Sequence, residues 1–201
     1  MVHHDAHGPS AAEEEGTAPL PLRHVEELIN TRSLVFGTDR LNSPADLARW
    51  LRARDLVPAG TRGSRQALAS AVRLREGLRA LLVGNNTAAA PEAPADTEPD
   101  ALADLAALAR DLPLVLDPAA RPPRLTARDG ATPDGALAGL LAAVAHASAT
   151  GEWNRLKVCR KPGCRWAYYD HSRNRARAWC SMETCGNQAK VHAFRTRQST
   201  R

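Results

Sequence analysis

Val158-Cys159-Arg160-Lys161-Pro162-Gly163-Cys164 and, fifteen residues on, Cys180-Ser181-Met182-Glu183-Thr184-Cys185 contain every cysteine of this 201-residue chain. Both pairs are spaced C-x4-C, and the first 158 residues contain none. A structural zinc site takes four ligands in a tetrahedron, and four thiolates close it. Two short-range pairs separated by a hairpin-sized insert can deliver that geometry from one small module. One structural Zn2+ held by Cys159, Cys164, Cys180 and Cys185 is therefore expected. The spacing leaves an iron centre or two disulfides open, and His171 or His192 could replace one cysteine as ligand.

Disulfides require an oxidising compartment. The opening MVHHDAHGPSAAEEEG has no basic stretch followed by an apolar one, so it does not read as a secretory signal. The longest apolar run, Ala136 to Ala145, is too short to span a bilayer. These features point to a cytoplasmic protein with no membrane association, where paired cysteines serve as metal ligands.

The local sequence gives the module its outline. Pro162 and Gly163 supply a tight turn between the first two ligands. Arg165 to Asp170 reads as an aromatic strand, His171 to Arg177 as a polar turn, and Ala178 to Cys180 as a second strand returning to the metal. Gly186 to Val191 reads as a helix start beside Cys185. A knuckle, a hairpin and a ligand at a helix N-terminus outline a treble-clef or ribbon-like finger. With few aliphatic residues, residues 155–201 are expected to fold only with metal, independently of the helices before them.

Charge separates this module from the rest. Residues 151–201 hold 12 Lys and Arg against 3 Asp and Glu, whereas residues 1–150 hold 15 against 19. Six of the eight Trp, Tyr and Phe residues also lie in the basic segment. Four thiolates on Zn2+ leave a net charge of −2, which offsets only part of that excess. A basic, aromatic-bearing metal module on a mildly acidic body suggests a nucleic-acid-facing tail.

Upstream, residues 1–20 lack periodic apolar positions and read as a disordered tail; His3, His4 and His7 belong to it as solvated side chains. Val25, Leu28 and Ile29 mark a helix over residues 24–33. Ser43-Pro44-Ala45-Asp46 is a start signal for a helix reaching about Arg54. Another helix spans about Ser64 to Val83, closed by Gly84-Asn85. Residues 85–100 form a Pro- and Ala-rich flexible linker. A helix over about 100–110 and a hairpin of 112–117 with 124–128 follow. Thr132-Pro133-Asp134 caps a last Ala/Leu helix ending near Gly151. The fold class is mainly α with a small β component: a helical domain over 21–150, then a zinc finger over 151–201.

From Arg155 to Arg197 the chain resembles the CGNR zinc-finger family almost without gaps. The stretches that carry the resemblance are C-x4-C, Tyr169-Asp170-His171-Ser172-Arg173-Asn174, Trp179-Cys180-Ser181-Met182 and Cys185-Gly186-Asn187. Gln188 stands where the family has its eponymous arginine, so a charge is missing at the head of the final helix. Leu28 to Leu51, LINTRSLVFGTDRLNSPADLARWL, resembles the start of the ABATE domain, whose members are described as stress-induced transcription regulators.

The resemblance and the charge imply a DNA-binding transcriptional regulator. Phosphate contacts are expected from Arg173, Arg175, Arg177, Lys190, Arg195 and Arg197. Nothing singles out base-reading residues. The alternative is a domain that binds a small ligand or a protein, with the finger as structural staple or interaction module. Asn30, Thr31 and Arg32, at the end of the first helix, are its candidate ligand-binding cluster; the same residues could merely cap that helix. An enzyme is not expected, because four thiolates leave zinc no open position for water or substrate. The scattered histidines have no partnered nucleophile or carboxylate motif.

Overall fold

The computed structural model describes residues 17–86, 100–161 and 163–191. Residues 1–16 of the expected tail (1–20), residues 87–99 of the expected linker (85–100), and Pro162, His192, Arg195 and Arg197 lie outside the described residues; Ala18 and Asn85, expected in that tail and linker, are instead buried.

Three of the described helices begin where a capping side chain places them. Helix α1, Leu22–Ile29, buries Leu22, Val25, Leu28 and Ile29. Helix α2 is Pro44–Arg52, and Ser43 Oγ accepts a hydrogen bond from Asp46 N at 3.2 Å. Ser64 Oγ accepts from Ala67 N at 3.0 Å to start helix α3, Arg65–Leu81. Thr132 Oγ1 accepts from Gly135 N at 3.1 Å to start α5, Pro133–Thr150. In each case a side-chain oxygen satisfies a donor that the first helical turn leaves unpaired. Helix α4 is Ala101–Asp111. It packs on α3 at Gly77, where a Cβ would lie 2.5 Å from Leu105 Cβ; only glycine lets the two helices approach so closely.

Among the described residues, three two-stranded antiparallel sheets decorate these helices. Strands β1, Arg32–Ser33, and β2, Thr38–Asp39, form a small hairpin just after α1. It shortens α1, which ends at Ile29 rather than running on to Ser33. Strands β3, Leu114–Asp117, and β4, Arg124–Ala127, form the expected hairpin and pack against α5. Strands β5, Leu156–Val158, and β6, Ala167–Tyr169, pair Leu156 with Tyr169 and Val158 with Ala167.

That last pairing differs from the expected one. The strand partner of 167–169 is the segment before the first cysteine, not the segment before Cys180. The C-x4-C turn is the hairpin's own turn, so it brings residues 158 and 167 opposite each other. Residues 178–180 return to the site with one backbone bond, Arg160 N to Ala178 O at 3.1 Å.

A single apolar core runs through α1, α2, α3, α4 and α5 and continues into Trp153, Leu156, Val158, Ala167 and Tyr169. The carbonyl end of α1 meets buried arginines of α3: Arg79 donates to Ile29 O at 2.5 Å, and Arg75 donates to Thr31 Oγ1 at 3.1 Å. Arg75 also forms a two-pronged pair with Asp39 at 2.7 and 2.8 Å, and Glu76 accepts from Arg75 and Arg79. Cations at a helix C-terminus neutralise its partial negative charge. Among the described residues no helix is long and apolar enough to cross a membrane.

Candidate metal centre

Strand β5 delivers Cys159 directly from Val158. The chain then turns tightly: Cys164 N donates to Lys161 O at 3.1 Å, and Gly163 takes φ +71°, a conformation that favours glycine. Cys159 N donates to Trp166 O at 2.9 Å, which closes the knuckle and leads into β6. The second pair is set by Ser181, whose Oγ accepts from Thr184 N at 3.3 Å and whose carbonyl accepts from Gly186 N at 2.9 Å. Cys185 lies in the resulting wide helical turn, Met182–Gly186, and helical backbone follows to Val191.

The four sulfurs converge, with every Sγ within 4.8 Å of every other. Cys164 to Cys180 is 3.8 Å, Cys180 to Cys185 is 3.7 Å and Cys185 to Cys164 is 3.8 Å. A tetrahedron with zinc–sulfur bonds of about 2.3 Å has edges of about 3.8 Å. Disulfide sulfurs would lie about 2.05 Å apart, and all four cysteines are free. The donor set and its spacing therefore fit one structural zinc. Cys159, Cys164 and Cys185 are buried, and Trp166 and Trp179 pack around them. Hydrogen bonds from Cys164 and Cys180 pull the Cys159 thiol down, against its burial, while the same contacts push the Cys164 and Cys180 thiols up. His171 is not drawn to this site; its Nε2 meets Thr17 O at 3.1 Å and its ring stands edge-on to Tyr169.

The hairpin has two faces, as strand geometry requires. Leu156, Val158, Ala167 and Tyr169 join the helical core. Lys157 and Tyr168, directly opposite each other, hold the loop that follows β6. Lys157 Nζ, fully buried, donates to Asp170 Oδ2 at 2.8 Å and also to the carbonyls of Arg175 and Arg177. Tyr168 Oη donates to Arg177 O at 2.7 Å. Asp170, 0 % exposed, accepts from Ser172 N at 3.0 Å, Ser172 Oγ at 2.5 Å and Arg177 N at 2.9 Å. Burial alone would raise the Asp170 carboxyl; the bonds from Lys157 and Ser172 outweigh it and hold it below its ordinary value. A buried ion pair with all its oxygens satisfied is the arrangement that desolvation demands.

The expected phosphate-contacting residues are placed differently from one another. Arg173 and Arg175 are exposed on the loop fixed by Lys157 and Asp170, and Lys190 and Gln188 are exposed beyond Cys185. Arg177 is turned inward. Its Nε donates to Trp179 O at 2.8 Å, its Nη2 to Cys180 O, and its guanidinium lies 4.8 Å from the Tyr168 ring centre. The Asn30-Thr31-Arg32 cluster is engaged within the protein. Asn30 bonds the backbone of Ala167, Thr31 Oγ1 donates to Leu28 O at 2.7 Å, and half-exposed Arg32 pairs with Glu76 at 3.4 Å.

Lys157 and Asp170 carry no metal-ligand or catalytic motif, so the sequence offers only one clue to them. The tetrad Tyr169-Asp170-His171-Ser172 is an acidic residue two positions before a hydroxyl, the signature of a side chain that caps its own turn.

The fold and the site together define the class: a helical domain whose core is continued by the hairpin of a four-cysteine zinc module. Residues 22–151 match the ABATE family model, described as "Putative stress-induced transcription regulator", and residues 155–198 match the CGNR zinc finger. The first match covers more than half of the chain, and the protein belongs to the ABATE family. A search of curated proteins finds no relative of the chain.

Proposed function

We propose that the protein is a DNA-binding transcriptional regulator, cytoplasmic, in which the zinc module presents a basic loop to the phosphate backbone. One observation carries this reading. Arg173 and Arg175 stand exposed on a loop fixed from beneath by the buried Lys157–Asp170 pair. Long, flexible arginines on a rigid base lose less entropy on binding than arginines on a mobile tail. The net charge of +9 over residues 151–201 supplies the long-range attraction. Lys190 adds a further exposed cation, whereas Arg177 serves the loop's own structure. The family description of ABATE as a transcription regulator points the same way. The reading is of a binding protein rather than an enzyme, since four sulfurs fill the coordination sphere of zinc.

The test is a gel shift of the full-length, zinc-loaded protein on genomic fragments across a salt series. Affinity should fall steeply with salt, and Arg173→Ala with Arg175→Ala should weaken binding and flatten the salt slope by about two units. Gln188→Arg should strengthen binding modestly if that turn faces phosphate. The second reading, a small-ligand- or partner-binding domain with the finger as staple, draws on the hairpin's burial in the helical core. It takes over if the full-length protein binds no DNA at low salt.

A further inference from the structure

The two outer edges of the β5–β6 hairpin are closed by asparagine side chains from the helical domain. Across the hairpin, Asp170 N donates to Arg155 O at 2.7 Å and Cys159 N to Trp166 O at 2.9 Å. Polar groups alternate along an antiparallel pair, so those of Leu156, Val158 and Ala167 face outward. A two-stranded ribbon would leave them unpaired in the core, at the expense of a buried donor or acceptor each. Instead Asn30 reads Ala167 as a strand would: its Nδ2 donates to Ala167 O at 2.9 Å and its Oδ1 accepts from Ala167 N at 2.8 Å. On the other edge Asn85 Nδ2 donates to Leu156 O at 2.9 Å and to Trp153 O at 2.8 Å. Asn86 Nδ2 donates to Val158 O at 3.1 Å.

These three residues sit at helix ends of the helical domain. Asn30 ends α1, and its own carbonyl accepts from Arg40 at 2.9 Å. Asn85 and Asn86 close the 3-10 turn Leu82–Asn85 that ends α3. Their targets adjoin the ligands: Val158 precedes Cys159, and Ala167 follows the Trp166 carbonyl that holds the Cys159 amide.

We infer that this asparagine clamp couples the metal centre to the helical domain, so that each is bound more tightly when the other is in place. Zinc fixes the turn of the hairpin; the clamp fixes its strands. Coupling of this kind is reciprocal: whatever factor the clamp adds to zinc affinity, zinc adds to the closing of the clamp.

The experiment is zinc release from the full-length zinc-loaded protein into excess EDTA, with amide hydrogen exchange before and after. Asn30→Ala should release zinc about tenfold faster, as expected for losing two buried hydrogen bonds. Leu105→Ala, at the α3–α4 crossing, weakens the helical core without touching the hairpin and should release zinc at the wild-type rate. Should Asn30→Ala fail to fold, Asn86→Ala removes a single half-buried bond and should still speed release by about threefold. In the wild type, zinc removal should speed exchange at the end of α1 and in the Leu82–Asn86 turn. Release rates within twofold of wild type in the asparagine variants, equal acceleration in Leu105→Ala, or unchanged exchange at those two places would overturn the inference.

Discussion

Between Leu22 and Trp153 the chain is held by leucine, alanine and valine side chains buried against one another. Between Cys159 and Cys185 the comparable interior is three buried cysteines with Trp166, Trp179 and Cys180 packed around them. Apolar burial contributes roughly 25 cal/mol for each Å2 removed from water. The helical region has enough of that area to fold on it, and the cysteine region does not. The hairpin between them belongs to both, since one face joins the helical core and its turn carries Cys159 and Cys164. An independent metal-dependent unit over 155–201 was the expectation from sequence; the core runs across that boundary through Trp153, Leu156, Val158, Ala167 and Tyr169. The expectation is that metal matters for the knuckle and for residues 177–191 more than for the strands themselves.

Removing one sulfur should break the comparison most severely. In Cys180→Ala the protein should retain little zinc, losing metal-derived stabilisation on the order of 10 kcal/mol. Limited proteolysis should then cut residues 159–166 and 177–191, while far-ultraviolet circular dichroism keeps most of its helical signal. An uncut C-terminal segment would mean that zinc is not what orders it.

Lys157→Met probes the loop without touching the metal. It leaves Asp170 buried without its cation, and breaking such a pair costs about 3–5 kcal/mol. Thermal melting should show that loss, with zinc content still near one per chain. Asp170→Asn in the same background should recover part of it, because the lone charge is removed. No recovery would show that the pair contributes through shape and not through charge.

On the helical side, Leu78→Ala deletes a fully buried side chain of α3 and should cost about 3 kcal/mol. Zinc content should stay near one per chain, measured by metal analysis of the folded fraction. Loss of zinc in proportion to stability would erase the distinction between the two regions.

An effect no larger than that is a pH dependence in α1. Glu26 of α1 is buried and accepts from Ala18 N at 2.7 Å. Burial raises its carboxyl to about 7, against the opposing Ala18 bond. An unfolded glutamate titrates near about 4.3. The folded state therefore holds the proton more tightly, so this group's contribution is full below about pH 4 and is lost as pH rises to about 7. Glu26→Gln should flatten denaturant stability across that window, with a gain of up to about 3 kcal/mol at pH 8. An unaltered pH profile would place the titration elsewhere.

Much of this comparison was legible in the chain because its causes are local. Ser43-Pro44, Ser64 and Thr132-Pro133 announce helix starts within a single turn, and the helices begin there. The C-x4-C pairs announce their metal because four sulfurs have few other uses in one module. What stayed hidden depends on distant partners. Leu156–Val158 is too short for a period-2 signal, and only the returning Ala167–Tyr169 makes it a strand. Asn30 looks like a helix-end polar residue, yet its partner Ala167 lies 137 positions away. Arg75 of α3 carries no signal in the chain that it would be buried, yet it is 1 % exposed, because Asp39 and Thr31 meet it there. Arg177 reads like its neighbours Arg173 and Arg175, but its bonds to the carbonyls of Trp179 and Cys180, with Tyr168 beneath it, turn it inward.

X-ray absorption at the zinc edge, on full-length protein purified without added metal, tests the central claim most directly. The account predicts one zinc per chain with four sulfur neighbours at about 2.3 Å and no nitrogen or oxygen in the first shell. Iron in place of zinc, a histidine nitrogen among the ligands, or metal-free protein with sulfur–sulfur distances near 2.05 Å would contradict it.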